Sequence, residues 1–190
     1  CDGAKMTVTG AEQENAIKFS CDHTLTIYGQ SLGTGRLSLT GYYDYYGILA
    51  PSANIIINGG DVTVTGNDEV AIKCGTFTMN GGSLNATSNG TGYYDNAMNV
   101  GTSFTFNGGN FSATSANAAA IEGSWLPVTL SWTSPSDSFY ASSFGQVSIT
   151  IAEGKAFIDE EGNLYKGYYD DDIYYGEVYG LDGKTLRPFN

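Results

Sequence analysis

Five short segments of this chain repeat one alternation, and no other feature of the sequence limits its fold as tightly. TLTIYGQ, NIIINGGD, TFTMNGGS and SFTFNGGN align with PVTLSW. Leu25, Ile55, Phe77, Phe104 and Val128 then fall in one column, and Ile27, Ile57, Met79, Phe106 and Leu130 in the next. Apolar and polar residues alternate within each segment, the period of a strand with one buried side. Recurrence every roughly 20–30 residues marks a chain wound into coils. Each unit holds two more strands of the same kind. One set aligns Met6, Leu37, Val62, Leu84 and Phe111 beside Val8, Leu39, Val64, Ala86 and Ala113. The other aligns Ile17, Ile48, Ile72, Met98 and Ile121 beside Phe19, Ala50, Cys74, Val100 and Gly123. Three strands per turn predict an all-β chain: a right-handed, single-stranded, three-faced parallel β-helix of about five coils.

In such a coil like positions stack about 4.8 Å apart, so every column is a continuous ladder. At the first corner Tyr28, Asn58, Asn80 and Asn107 form a row just before Gly. We read the row as structural, because Asn tolerates left-handed backbone and can hydrogen-bond along a stack. The repeat stops after residue 132, which divides the chain into a β-helix (1–132) and a C-terminal β-rich cap (133–190). A cap is needed because an open rung invites edge pairing. No comparable cap precedes the first coil, so the sequence reads as a piece of a longer exported protein.

Composition agrees and removes several functions. Only 15% of residues are charged, against roughly 25% in an average domain, while 26 Gly and 14 Tyr accompany abundant Ser, Thr and Asn. That is the composition of strands joined by turns. With 8 Lys plus Arg against 20 Asp plus Glu, the formal charge is -12. A chain so acidic repels phosphate backbones, so no nucleic-acid partner is expected. No apolar run is long enough to span a membrane. Cys1, Cys21 and Cys74 have no metal spacing. Cys74 reads as a small core residue, and Cys1 stays open to three roles: disulfide partner of Cys21, lipidation site, or the start of a truncated piece.

The rungs INGGDVTVTG, MNGGSLNATS and FNGGNFSATS resemble the INGGTVTATGG repeats of β-helical surface proteins from gut and other anaerobic bacteria. LTIYGQSLGTGRLSLTG is similar to their entry rung, and VTLSWTSPSDSFYASSFGQVSITIAEGKAF to the module that closes such arrays. The resemblance covers most of residues 1–165. It implies an extracellular or cell-surface location and, loosely, carbohydrate binding or adhesion, some relatives being calcium-dependent pectin binders. It supplies no catalytic motif.

Unusual residues gather in the loops between the second and third strands. These are GAEQEN (Glu12, Glu14), GYYDYYG (Tyr42, Tyr43, Asp44, Tyr45, Tyr46), GNDEV (Asp68, Glu69) and GTGYYDN (Tyr93, Tyr94, Asp95). Stacked on consecutive coils they would form one edge rich in Tyr and carboxylate. The Tyr-Tyr-Asp units of loops two and four, two coils apart, should lie on the order of 10 Å from each other, about the length of a disaccharide. Tyr offers a flat apolar face to a sugar ring and a hydroxyl to its rim, and Asp accepts from sugar hydroxyls. We therefore expect Tyr42, Tyr43, Asp44, Tyr46, Asp68, Tyr93, Tyr94 and Asp95 to bind a polysaccharide or surface glycan. The plainer reading is that these tyrosines cover the loop backbone. The loop carboxylates are also hard donors for calcium, as are Asp170, Asp171 and Asp172 in the tail, although no EF-hand or nonapeptide motif is present.

Other chemistries fare worse. Lys18 and Lys73 share an outward column, but Leu49 separates them and Asn99 and Glu122 follow, so the basic cluster of a polysaccharide lyase is missing. His23 has no nucleophile beside it, and the NGG glycines are corners that do not join a strand to a helix. Outward Thr rows such as Thr9, Thr40, Thr65, Thr87 and Thr114 are similar to those of ice-binding β-helices, yet Thr is favoured on exposed strands anyway. The sequence thus predicts a monomeric, non-catalytic glycan-binding or adhesive module needing no cofactor, with a structural stalk of a larger surface protein as the alternative.

Overall fold

The computed structural model describes residues 4–29 and 35–190, so a Cys1–Cys21 pairing lies outside the described residues. The second strand set forms one ladder of parallel strands: β1 (Lys5–Thr9), β4 (Arg36–Tyr43), β6 (Asp61–Asn67), β8 (Ser83–Ser88), β10 (Asn110–Ser115) and β13 (Ser138–Ala141). The third and first sets form the other ladder. It begins with β2 (Ile17–Lys18) and β3 (Thr24–Ile27), runs through β5 (Ile48–Ile57), β7 (Ile72–Met79) and β9 (Met98–Phe106), and continues as β11 (Ile121–Glu122), β12 (Leu126–Leu130) and β14 (Val147–Ile151). Thus β5, β7 and β9 each cover two faces without a break. The register shifts where they bend, between Ala50 and Asn54 and between Cys74 and Thr76. The molecule is a mostly parallel β-solenoid of about five turns.

Every inward column reads as the sequence predicts. Leu25 pairs with Ile55, Ile55 with Phe77, Phe77 with Phe104 and Phe104 with Val128. Met6, Leu37, Val62, Leu84 and Phe111 form a second unbroken series. Where a large side chain of these columns is fully buried, as Ile55, Phe77 and Phe104 are, it contributes about 1.5–3 kcal/mol. Towards the C-terminus the core becomes aromatic, with Phe77 and Phe104 centroids 4.9 Å apart and Phe111 stacked on Phe139 at 4.9 Å and 10°. Cys74 is buried among them, and that burial pushes its thiol up to about 12.

The Asn row is a hydrogen-bonded ladder. Asn80 Nδ2 donates to Asn58 Oδ1 at 2.7 Å, and Asn107 Nδ2 to Asn80 Oδ1 at 2.8 Å. One part of the expectation changes, because the left-handed backbone falls on the second glycine of each NGG, at Gly60, Gly82 and Gly109 (φ 91°, 84° and 97°). Asn supplies the side-chain stack and Gly the turn.

Loss of the motif after residue 132 does not end the parallel pairing. Phe139 and Ala141 pair with Phe111 and Ala113, and Ile149 and Ile151 with Val128 and Leu130. The inward alternation persists while the corner sequence changes. There the buried Asp137 carboxylate accepts from the backbone amides of Gly109, Thr133 and Ser134 at 2.9, 2.9 and 2.8 Å. Antiparallel strands then close the stack, with β20 (Thr185–Pro188) on β13 and β19 (Glu177–Val178) on β14. Outside these, β15 (Ala156–Ile158) pairs with β20 and with β16 (Leu164–Lys166). Asp159 pins this end, accepting from Asn163, Tyr165 and Lys184. Burial alone would raise its pKa, but those donors bring it well below the carboxylate range. The tail completes a hairpin of β17 (Tyr168–Asp170) and β18 (Ile173–Tyr175). At the other end β1 is an edge, and its inward Met6 is 60% exposed.

Candidate functional site

The loops between the second and third faces stack along one edge, tied rung to rung. Tyr42 N donates to Glu14 O, Asp44 N to Asn67 O and Asn89 N to Gly66 O. The structure draws part of the expected set together here. The Asp68 carboxylate accepts from Thr91 N at 3.2 Å, tying loop three to loop four, and facing the Tyr43 hydroxyl of loop two it raises the Tyr43 pKa. Burial, then the Glu69 carboxylate, raises the pKa of Tyr46, whose ring covers the Lys73 ammonium at 5.8 Å.

Two of the expected acceptors are engaged in shaping loops. Asp44 has a left-handed backbone (φ 62°), a conformation Asp tolerates better than most residues. Asp95 turns its carboxylate onto the Gly92 amide of its own loop. The Tyr-Tyr-Asp motif thus repeats in sequence but not in conformation, since loop four is longer and holds its aspartate differently.

That longer loop carries Tyr93 and Tyr94 out to one wall of a groove. The rings meet edge to face at 5.2 Å and are 82% and 77% exposed. The groove, about 680 Å³, crosses three rungs of the third face. Its floor holds the outward residues Asn99 and Glu122, with Asn96 and Gln146 at its margins and Gly101, Gly123 and Gly145 between. Asn96 is almost fully buried: its Nδ2 donates to Ala119 O at 2.9 Å, and its Oδ1 has no partner in the protein. Beside Ser124 on the rim stands Trp125, 82% exposed with φ 56°, a backbone region unusual for a bulky side chain.

Sequence reasoning missed Asn96, Trp125 and Gln146 as site residues and used Glu122 only to exclude a basic cluster. The available signal was the outward column Lys18, Leu49, Lys73, Asn99, Glu122, which the register places in line and which changes character at every rung. Tyr42 is exposed on loop two and is not among the groove residues. A second cavity, about 240 Å³ at the open end of the coil, is lined by Met6, Ile27, Leu37 and Val62 and offers few polar partners.

Among the described residues no group of three or more His, Cys, Asp or Glu side chains is arranged to hold a metal ion. Asp170, Asp171 and Asp172 form the tip of the β17–β18 hairpin, where Asp171 and Asp172 both take positive φ (45° and 62°). Such a two-residue turn suits Asp at both central positions, Asp171 and Asp172. Among the described residues no helix is long and apolar enough to cross a membrane.

No family model, curated protein or solved structure matches the chain. The likeness of its rungs to those of β-helical surface proteins rests on the repeated motif itself, and the β-solenoid fold is what that motif and the register together establish.

Proposed function

We propose that the protein is a non-catalytic, extracellular carbohydrate-binding module that holds a polysaccharide in the groove of its third face. The observation that supports this most directly is the pair of exposed rings, Tyr93 and Tyr94, set at right angles to each other on a groove that Asn99, Glu122 and Gln146 also line. A sugar ring stacks its C–H face on one such ring, and its rim hydroxyls bond to amide and carboxylate side chains below. Rigid strands position the groove floor, so little ordering is needed on binding. Tyr43, Tyr46 and Asp68 extend the same edge towards the N-terminal rungs and offer further saccharide units a place to lie. A structural stalk would require the rungs, the Asn ladder and the cap, but has no use for bare aromatic rings beside a groove.

The test is retention on a polysaccharide array. The protein should be retained by at least one glycan, with or without chelator, and Tyr93→Ala with Tyr94→Ala should remove that retention without moving the thermal midpoint. Failure to retain any glycan would return the chain to the stalk reading.

A further inference from the structure

The groove gives an indication of which sugars it would take, and this inference rests on the glycan reading above. Two acceptors along it, on Asn96 and Glu122, are not fully matched by protein donors. Asn96 Oδ1 is the clearest case: because Nδ2 is committed to Ala119 O, the amide orientation is fixed and a buried acceptor remains without a donor. Buried polar atoms are rarely left unpaired, and such an exception calls for an explanation.

Glu122 lines the same groove. Its Oε1 accepts from the amides of Gly123 at 2.9 Å and Gln146 at 3.2 Å, which fixes the carboxylate in place. Its Oε2 lies against Gly145, where a Cβ would fall at 1.9 Å, so only glycine there leaves the oxygen its seat. Among the described residues Glu122 makes no ion pair. Lys73, two rungs away in the same column, is covered by Tyr46 and does not line the groove. An unpaired carboxylate, an orphaned carbonyl and two aromatic rings together suit a cation with several N–H donors. A uronate would meet repulsion from Glu122 and from a chain of charge -12.

We infer that the groove selects a glycan bearing primary ammonium groups, a glucosamine polymer, with the ammonium donating to Glu122 and lying against the Tyr93–Tyr94 pair, beside the buried Asn96 carbonyl. The experiment is titration calorimetry at mildly acidic pH and physiological salt, using a glucosamine hexamer, the N-acetylated hexamer and a hexagalacturonate. The deacetylated hexamer should bind at least tenfold more tightly than the acetylated one, and the uronate should not bind measurably. Glu122→Gln should remove that tenfold preference while keeping the thermal midpoint. This variant changes only one charge of many, so unspecific attraction of a polycation to an acidic protein would survive it. Equal affinity for the two hexamers, or a preference that persists in Glu122→Gln, overturns the ammonium assignment and leaves the glycan reading standing if the acetylated hexamer binds. Absence of binding to all three, with none on the polysaccharide array, overturns both.

Discussion

The second and third faces of the coil are built from strands of equal regularity, yet their outer surfaces differ. On the second face one outward column reads Thr9, Thr40, Thr65, Thr87 and Thr114. On the third the equivalent column reads Lys18, Leu49, Lys73, Asn99 and Glu122. Strand propensity alone explains the first, because a β-branched, half-polar side chain suits any exposed rung. It does not explain the second, where the residue type changes from one rung to the next. In a stacked repeat, uniform columns answer to the stack alone, and a column that breaks uniformity beside long loops is the place to test for a ligand.

The largest expected effect belongs to neither outer face. Phe104→Ala empties a position where Phe77, Phe111 and Phe139 meet, and chemical denaturation should show a loss of about 3–5 kcal/mol. Binding measured below the unfolding transition should survive. Next comes the groove wall: removing both Tyr93 and Tyr94 should weaken glycan retention by tenfold or more, about 1.4 kcal/mol at the least, with unchanged stability. A large fall in stability instead would mean that the rings cover the loop backbone. Smaller again is Asn80→Ala, which cuts two hydrogen bonds of the corner ladder at about 1 kcal/mol of stability and leaves binding intact. The mildest pair sharpens the contrast between the faces. Thr87→Val and Asn99→Val both alter outward positions and should each move stability by less than about 0.5 kcal/mol, but only Asn99→Val should lower retention.

How far the sequence carried this picture depends on what each residue answers to. The inward columns were legible in full, since a period of two with one buried face leaves little freedom of register. The rung formed by β13 and β14 was hidden because its corner is built by Asp137 in place of NGG, although Phe139, Ala141, Ile149 and Ile151 keep the alternation. At the site, Tyr93 and Tyr94 were legible as loop aromatics, and Asp68 as a loop carboxylate but not as the brace that takes Thr91 N of the next loop. Asp95 was not legible as a loop brace, because that depends on the conformation of one long loop. The groove was invisible for another reason: Asn96, Asn99, Glu122 and Gln146 come from separate rungs, and only the assembled coil makes them neighbours. The cap carboxylates show the same limit, Asp159 becoming a hub only once Lys184 arrives from the far end of the chain.

The central claim is that the third face, and not the others, holds a saccharide. Amide-resolved NMR during titration with a glycan retained on the array tests it most directly. The account predicts that the largest shifts cluster on Tyr94, Asn96, Asn99, Glu122 and Gln146, with Thr65 and Thr87 unmoved. Largest shifts along the Thr column, or on the Tyr168–Tyr175 hairpin, would contradict it.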